Sequence, residues 1–246
     1  MARKFFNNKI LALIPARQGS ERIENKNIIK IYNHPLIAYT INVAKESGLF
    51  DKIVVSTDSP KYSKISKKYG AEVPFLRPSN ISTSISPDYQ WVNYTIKKLE
   101  KMGFFFSHFF ILRPTSPFRK VSTILNAWKK FKKNKTAESL RAVEICKQHP
   151  GKMWLKSKGF IKPFFPGKKN NQPYHNLQFK SLPKILVQNA SLEISKVKVL
   201  NLYKSITGKK IIPFYTKDIE GFDINNRYDL NYAHFLVKKN KIKIRK

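Results

Sequence analysis

Residues 10–27 read ILALIPARQGSERIENKN. Five apolar residues in a row, Ile10 to Ile14, predict a strand covered on both faces, as in a parallel sheet. Pro15 ends the run. A polar loop follows, with Arg17, Arg22 and Lys26 around a single glycine, Gly19. Outward from this stretch the pattern repeats. Ile28 to Ile31 reads as a short strand, and Leu36, Tyr39, Thr40 and Ala44 recur at helical spacing up to Gly48. Lys52 to Ser56 is a second strong strand. Pro60 to Tyr69 reads as a helix closed by Gly70, and Ala71 to Phe75 as a third strand. Strand, helix, strand, helix, strand describes an open α/β sheet with right-handed crossovers.

The alternation continues with a helix over Tyr89 to Met102, a buried strand over His108 to Leu112, a helix over Val121 to Phe131 and a strand over Ser139 to Ile145. From 150 to 183 the composition turns rich in Pro, Asn, Lys and aromatics, with weak periodicity. A long structureless loop is unusual in a compact domain, so this stretch is expected to form a β-arm that packs on a second subunit. Regular structure resumes at Ile185 to Ile194. Leu200 to Tyr203, Ile211-Ile212 and Phe214 read as strand-like, and Leu230 to Val237 as a closing helix. The expected division is a core over 1–149 and 184–246 with an inserted arm over 150–183.

Composition narrows the class. The 246 residues hold 48 Lys and Arg against 15 Asp and Glu, a formal charge of +33. Such a field attracts phosphates in general. The lysines are scattered in short clusters on amphipathic segments, however, and no zinc-finger spacing, GXXG loop or RNP-like strand is present. Small anionic ligands are therefore favoured over a specific nucleic-acid partner. A lone cysteine, Cys146, leaves no internal disulfide. The segment Ile10 to Ile14 is too short for a bilayer span or a signal-peptide core, and no stretch approaches 18 apolar residues. A cytoplasmic protein with no membrane partner is expected.

Four segments carry candidate chemistry. In an open α/β sheet, ligands bind beyond the carboxyl ends of the strands. The loop with Arg17, Gly19, Arg22 and Lys26 suits a phosphate there, although neither the P-loop nor the dinucleotide spacing is present. Asp58 follows the second strand toward the same rim, with capping of the next helix by Asp58 or Ser59 as the competing role. Leu112-Arg-Pro-Thr-Ser-Pro-Phe-Arg119 places Arg113, Thr115, Ser116 and Arg119 in a proline-stiffened loop. That set suits an acidic ligand, or Thr115 or Ser116 caps the following helix. Finally, Glu220 to Asp229 groups acids in a chain that has few. Asp223 and Asn225 alternate around Ile224, so on a strand both face one side and suit Mg²⁺, which takes oxygen ligands. Asp229 is expected to cap the last helix.

The run LIPARQGSERIENKNI resembles the nucleotide-binding opening of the acylneuraminate cytidylyltransferases, the CMP-sialic acid synthetases. VVSTDS, KKYGAEVPFLRPSNIS, ILRPTSPFR and GFDINNRYDLNYAHFL resemble that family's later motifs in order. The resemblance covers nearly the whole chain and is weakest over 147–183. It implies a Rossmann-like nucleotidyltransferase core with a mostly parallel sheet, and an inserted β-arm serving the dimer and the sugar site. It implies a homodimer that is Mg²⁺-dependent and joins CTP to an acidic nine-carbon keto sugar, releasing pyrophosphate. Matched by motif, Ala16, Arg17, Gly19, Ser20 and Arg22 would lie about the CTP phosphates, with Lys26 and Asn27 completing that site. Arg77, Asn80 and Ser84 would lie near cytosine and ribose. Asp223 would serve metal and attacking hydroxyl, with Asn225 beside it, and Arg17, Lys26 and Asp223 would be catalytic. The sugar would meet Arg113, Thr115, Ser116, Gln172, Gln188 and Asn189.

Four positions depart from the family pattern. Gln18 stands where many relatives have glycine, Arg113 where they commonly have glutamine, and Asn225 where they have a second carboxylate. The arm reads Asn171-Gln172 in place of an arginine-glutamine pair. Arg113 thus points to a related acid such as legionaminate or pseudaminate. The competing readings are a transferase for another acidic sugar, such as a 3-deoxy-octulosonate, and a non-catalytic basic protein that binds nucleotide or polyanion on the same scaffold.

Overall fold

The structure is a computed structural model and describes residues 8–239. The chain divides into two compact units. The larger holds the described residues up to Ala142 and from Asn189 onward, and the smaller is Val143–Gln188.

In chain order the larger unit starts with β1 (Ile10–Pro15), the two-residue strands β2 (Lys30–Ile31) and β3 (His34–Pro35), α1 (Leu36–Glu46), β4 (Lys52–Ser56), α2 (Pro60–Lys68) and α3 (Asp88–Lys101). It continues with β5 (His108–Ile111), α4 (Val121–Lys133) and the start of β6 (Ser139–Ile145). The smaller unit carries β7 (Trp154–Ser157), β8 (Phe160–Pro163), β9 (Lys168–Lys169) and β10 (Gln172–Pro173). The chain closes through β11 (Leu186–Lys196), α5 (Lys198–Tyr203), β12 (Ile211–Tyr215) and α6 (Arg227–Lys239).

Six strands form one sheet in the order β12-β6-β11-β5-β1-β4. β1 is parallel to β4 and to β5, whereas β11 runs antiparallel to β5. The alternation of β1 shows why it is central. Ile10, Ala12 and Ile14 pack with α1 and α4 residues such as Ile37, Ile41, Ile124 and Phe131. Leu11 and Leu13 face the other way, onto Trp91, Val92, Ile96 and Leu99 of α3. Successive side chains on a strand point to opposite faces, so a strand buried on both must be apolar throughout. A third cluster under α6 joins Leu230, Ala233 and Leu236 to Ile23, Leu36, Phe118 and Ile224. The structure thus has the mostly parallel α/β sheet expected of the Rossmann-like core.

Three expected strands differ. Ala71 to Phe75 makes only one isolated parallel bridge, Val54 to Glu72. Pro74 and Pro78 lack the N–H a longer ladder needs. Leu200 to Tyr203 lies in the short helix α5, ended by Lys204 in the left-handed region at φ 48°; its alternating Leu-Asn-Leu pattern is too short to separate the two periods. Of Ile28 to Ile31, only Lys30 and Ile31 pair, with His34–Pro35, after a 3-10 turn at Lys26–Ile28. Among the described residues, no helix is long and apolar enough to cross a membrane.

The smaller unit is built from hairpins. β7 and β8 pair antiparallel across Lys158 and Gly159, and β9 and β10 across Asn170 and Asn171. All four linking residues have positive φ, as the tight two-residue hairpin turn demands. Phe160 and Ile161 are exposed.

One core histidine supplies a stability prediction. His108 on β5 packs edge-on against Trp128 and Phe131, at 5.1 and 5.8 Å between ring centroids. Burial, helped by the Lys196 charge, pushes its pKa down from 6.5 to about 4. The unfolded chain binds this proton at a higher pH than the folded one, so stability is lost as pH falls from 6.5 toward 4. Thermal melts across that window should show the loss, and His108→Phe should flatten this part of the profile.

Candidate functional site

Because β1, β4 and β5 are parallel, the loops after Pro15, Ser56 and Ile111 gather at one rim of the sheet. A cleft of about 400 Å³ opens there. Arg17, Ser20, Arg22, Lys26, Asn27, Arg77 and Ser84 line it, as do Arg113 and Thr115. Residues separated by up to 98 positions in the chain thus meet in one concavity.

The first loop is fixed by hydrogen bonds along its length. Ala16 is buried and its N–H donates to Ser56 O at 3.0 Å. The Gln18 N–H donates to Asp58 Oδ1 at 2.8 Å. Asn27, itself buried, donates from Nδ2 to Arg17 O at 3.1 Å. Arg17 turns its guanidinium onto Gly19 O within the same loop. Gly19 is exposed beside the cleft, and a Cβ there would meet only the Arg17 guanidinium, at 3.5 Å. The expected cap falls to one residue: Ser59 Oγ accepts from Tyr62 N at the start of α2, and Asp58 instead pins the loop after β1.

Lys26 donates from Nζ to Ile224 O at 3.1 Å, which ties this loop to the acidic segment. Burial lowers its pKa, the Asp223 charge opposes that, and Arg22 and Arg17 add to the lowering. Arg77 is buried, donating to Ser56 Oγ at 3.1 Å and to Ser56 O at 2.6 Å, with its guanidinium over the Trp91 ring at 5.1 Å. Burial pushes its pKa down to about 10, against the attraction of Asp58 and Asp88. Among the described residues, no salt bridge reaches Arg17, Arg22, Lys26 or Arg77.

The acidic segment carries no strand ladder; residues 221–226 lie between β12 and α6 without one. Asp223 and Asn225 are nevertheless adjacent, because Ile224 is buried between them and its N–H donates to Thr115 O at 2.9 Å. Asn225 Nδ2 donates to Asp223 Oδ2 at 2.9 Å, and Asp223 Oδ1 is buried with no hydrogen-bond partner among the described residues. The cap expected of Asp229 is shared: Asn226 Oδ1 accepts from Asp229 N at 3.0 Å at the start of α6, and Asp229 Oδ2 accepts in return from Asn225 N and Asn226 N, at 2.8 and 3.0 Å.

The 112–119 loop holds a surprise. Arg119 is buried and gives its guanidinium to Ser191 O, Arg113 O, Ala190 O and Thr40 Oγ1, all uncharged acceptors. Arg113 is half-buried and pairs with Asp88 and with Glu193. Neither Thr115 nor Ser116 caps α4, whose N-cap position is Lys120; there the Lys120 N–H donates to Thr123 Oγ1 at 3.1 Å. Ser116 is buried, with no hydrogen-bond partner for its hydroxyl among the described residues.

The remaining candidates lie elsewhere. Asn80 lines a different cleft, along α3 with Tyr89 and Tyr94. Gln172 and Gln188 are exposed in the smaller unit. Asn189 spends its amide on Thr216 Oγ1 and Ser191 N, at 2.8 and 3.1 Å. Conversely, Glu21, Thr83, Ser86, Asp88 and Trp91 line the cleft and were not singled out from the sequence. The run Ser82-Thr-Ser-Ile-Ser-Pro-Asp88 carried a signal: hydroxyls crowding into the start of a helix whose first acid is Asp88.

Comparison with known proteins bears on the family and the fold. Residues 11–159 match the family model described as cytidylyltransferase. The chain is 44% identical over 119 residues, 48% of its length, to the CMP-N,N'-diacetyllegionaminic acid synthase of Legionella pneumophila. It is 38% identical over 137 residues, 56% of its length, to the pseudaminic acid cytidylyltransferase of Campylobacter jejuni serotype O:23/36. The aligned stretches span 51% and 59% of those two relatives, about half of each. In fold, the chain is similar to a CMP:2-keto-3-deoxy-manno-octonic acid synthetase solved with CTP, at a TM-score of 0.71 and 13% identity, covering 94% of this chain and 99% of that one.

Proposed function

The chain belongs to the cytidylyltransferase family that holds the acylneuraminate, legionaminate and pseudaminate enzymes, and on that premise we propose that it transfers CMP from CTP to an acidic nine-carbon keto sugar. One observation carries the reading: Arg17, Arg22, Lys26 and Arg77 converge on one cleft and, among the described residues, none of them makes a salt bridge. A triphosphate supplies the missing negative charge. The cytoplasm is where CTP would be met.

In the proposed reaction the sugar's anomeric hydroxyl attacks the α-phosphorus in line. An O–P bond forms, the bond to the β-phosphate oxygen breaks, and pyrophosphate leaves. The chain has little covalent work to do; it holds two anionic reactants together and stabilises charge on the phosphates. Arg17, Arg22 and Lys26 bind the triphosphate oxygens, and Arg77, stacked on Trp91, orients the nucleoside end. The hydroxyl proton passes to a carboxylate, for which Asp223 is the candidate.

Asp223 fits Mg²⁺ by its chemistry, since its Oδ1 is a buried oxygen with no donor on it. It would hold the ion, and Asn225 would steady its other oxygen. When bound, Mg²⁺ supplies positive charge to the phosphate oxygens. The hairpins of the smaller unit, with Phe160 80% and Ile161 62% exposed, are the surface we assign to a second copy in a homodimer.

The test is pyrophosphate release with Mg²⁺. CTP, UTP, GTP and ATP are each paired with N-acetylneuraminate, N,N'-diacetyllegionaminate, pseudaminate and 3-deoxy-manno-octulosonate. Sugar-dependent release with CTP alone is expected, largest with legionaminate or pseudaminate. Binding of CTP by folded protein without release from any pair would overturn the transferase reading in favour of a binding protein.

A further inference from the structure

Arg113 has the place of a clamp for the acceptor's carboxylate but not the charge for it. Its Nη2 reaches both Asp88 Oδ2 and Glu193 Oε1, the latter at 2.8 Å. Glu193 is buried on β11 and pairs through its other oxygen with Arg141 of β6. Asp88 takes the Trp91 indole N–H on its second oxygen at 2.7 Å. Two arginines therefore meet two carboxylates, and the group is neutral as a whole. A third carboxylate landing on Arg113 would lie against Asp88 and be repelled.

Two members of this neutral group remain accessible. The Arg113 and Asp88 side chains are 26% and 32% exposed, and both line the cleft. Among the described residues, no hydrogen bond uses Arg113 Nε or Nη1. Each Asp88 oxygen keeps spare acceptor capacity. The cleft thus presents a donor and an acceptor side by side, with no net charge. Hydroxyl and acylamino groups, which both donate and accept, match such a couplet; a carboxylate, which only accepts, does not.

We propose that Arg113, held by Asp88 and Glu193, selects the acceptor through its uncharged hydroxyl and acylamino substituents and not through its carboxylate. The inference rests on the acceptor being an acidic sugar bound in this cleft. It explains why a cation stands in this loop without adding to the charge offered to the triphosphate, which falls to Arg17, Arg22 and Lys26.

N-acetylneuraminate, N,N'-diacetyllegionaminate and pseudaminate share the carboxylate and differ in neutral substituents. The experiment is calorimetric titration of each acid into wild type and Arg113→Gln, with CDP filling the nucleotide subsite. Arg113→Lys keeps the charge that Glu193 needs, and serves if the glutamine variant fails to fold. The variants should change the ratio of Kd values among the acids by about tenfold, the scale of one hydrogen bond to a charged group, while CTP affinity is retained. A loss by one common factor for all three acids would overturn the proposal, since a carboxylate clamp or a merely structural role predicts that. So would wild type binding none of them. Pyrophosphate release from wild type separates the two claims. Release together with a uniform loss in the variants sinks the selectivity role alone. A changed ranking without release sinks the transferase reading alone.

Discussion

Arg17→Ala should lower kcat by about 10²–10³, the scale of removing one preorganised donor from a charge-developing transition state. The loop that carries Arg17 does not depend on its side chain. Asn27 holds the Arg17 carbonyl and Asp58 holds the next N–H, so the backbone stays in place in the variant. The melting temperature should therefore be little changed. What is lost is a guanidinium that in the free protein rests on Gly19 O of its own loop. A triphosphate oxygen is a better partner than a neutral carbonyl, because charge-assisted hydrogen bonds are roughly twice as strong. The swing from carbonyl to phosphate is a cost already met when the substrate is bound, so the loss should fall more on kcat than on the KM for CTP. Arg17→Lys should recover part of the rate and not all of it, since a point charge lacks the planar fork. Steady-state kinetics at saturating sugar check this, and unchanged turnover in Arg17→Ala would remove Arg17 from the mechanism.

What was legible in the sequence and what was not divides by range. The unbroken run Ile10 to Ile14, closed by Pro15, reads as a strand buried on both faces, and the polar loop after it is then expected at the sheet's carboxyl rim. The part of Asp229 in capping was equally local: its partners, Asn225 and the capping Asn226, lie within four residues. The role of Asp58 was not legible, because its partner is Gln18, forty positions away across two strands. Nor was the fate of Arg113, whose two carboxylates are supplied by the start of α3 and by a strand eighty residues on. An arginine in a polar loop reads as a free cation until the sheet order is known, and here the order places β11 beside β5. Short apolar segments failed for another reason. Ala71 to Phe75 and Leu200 to Tyr203 are too brief for periodicity to speak, so prolines in one and tertiary packing in the other decided the outcome.

Asp223→Asn should be the most damaging isosteric change, lowering kcat by about 10³ or more while leaving the fold intact. The separation of the two effects follows from the bonds. Asp223 Oδ2 accepts one hydrogen bond, from Asn225, which an amide oxygen in its place also accepts. Oδ1 has no partner, so replacing it with an N–H₂ breaks no bond already made. The charge, however, is not replaced. With it go the candidate proton acceptor, the oxygen that fits a divalent cation, and the counter-charge beside Lys26. Restoring a carboxylate at the neighbouring position gives the converse experiment. In Asn225→Asp the hydrogen bond becomes a contact between two carboxylates, which repel unless a cation lies between them. That variant should melt lower than wild type without Mg²⁺ and regain stability as Mg²⁺ is added, by an amount that grows with metal concentration. Wild type, with one carboxylate and an amide already bonded to it, should show a smaller shift. Melting curves with and without Mg²⁺ measure both, and equal shifts in the two proteins would take the metal away from Asp223.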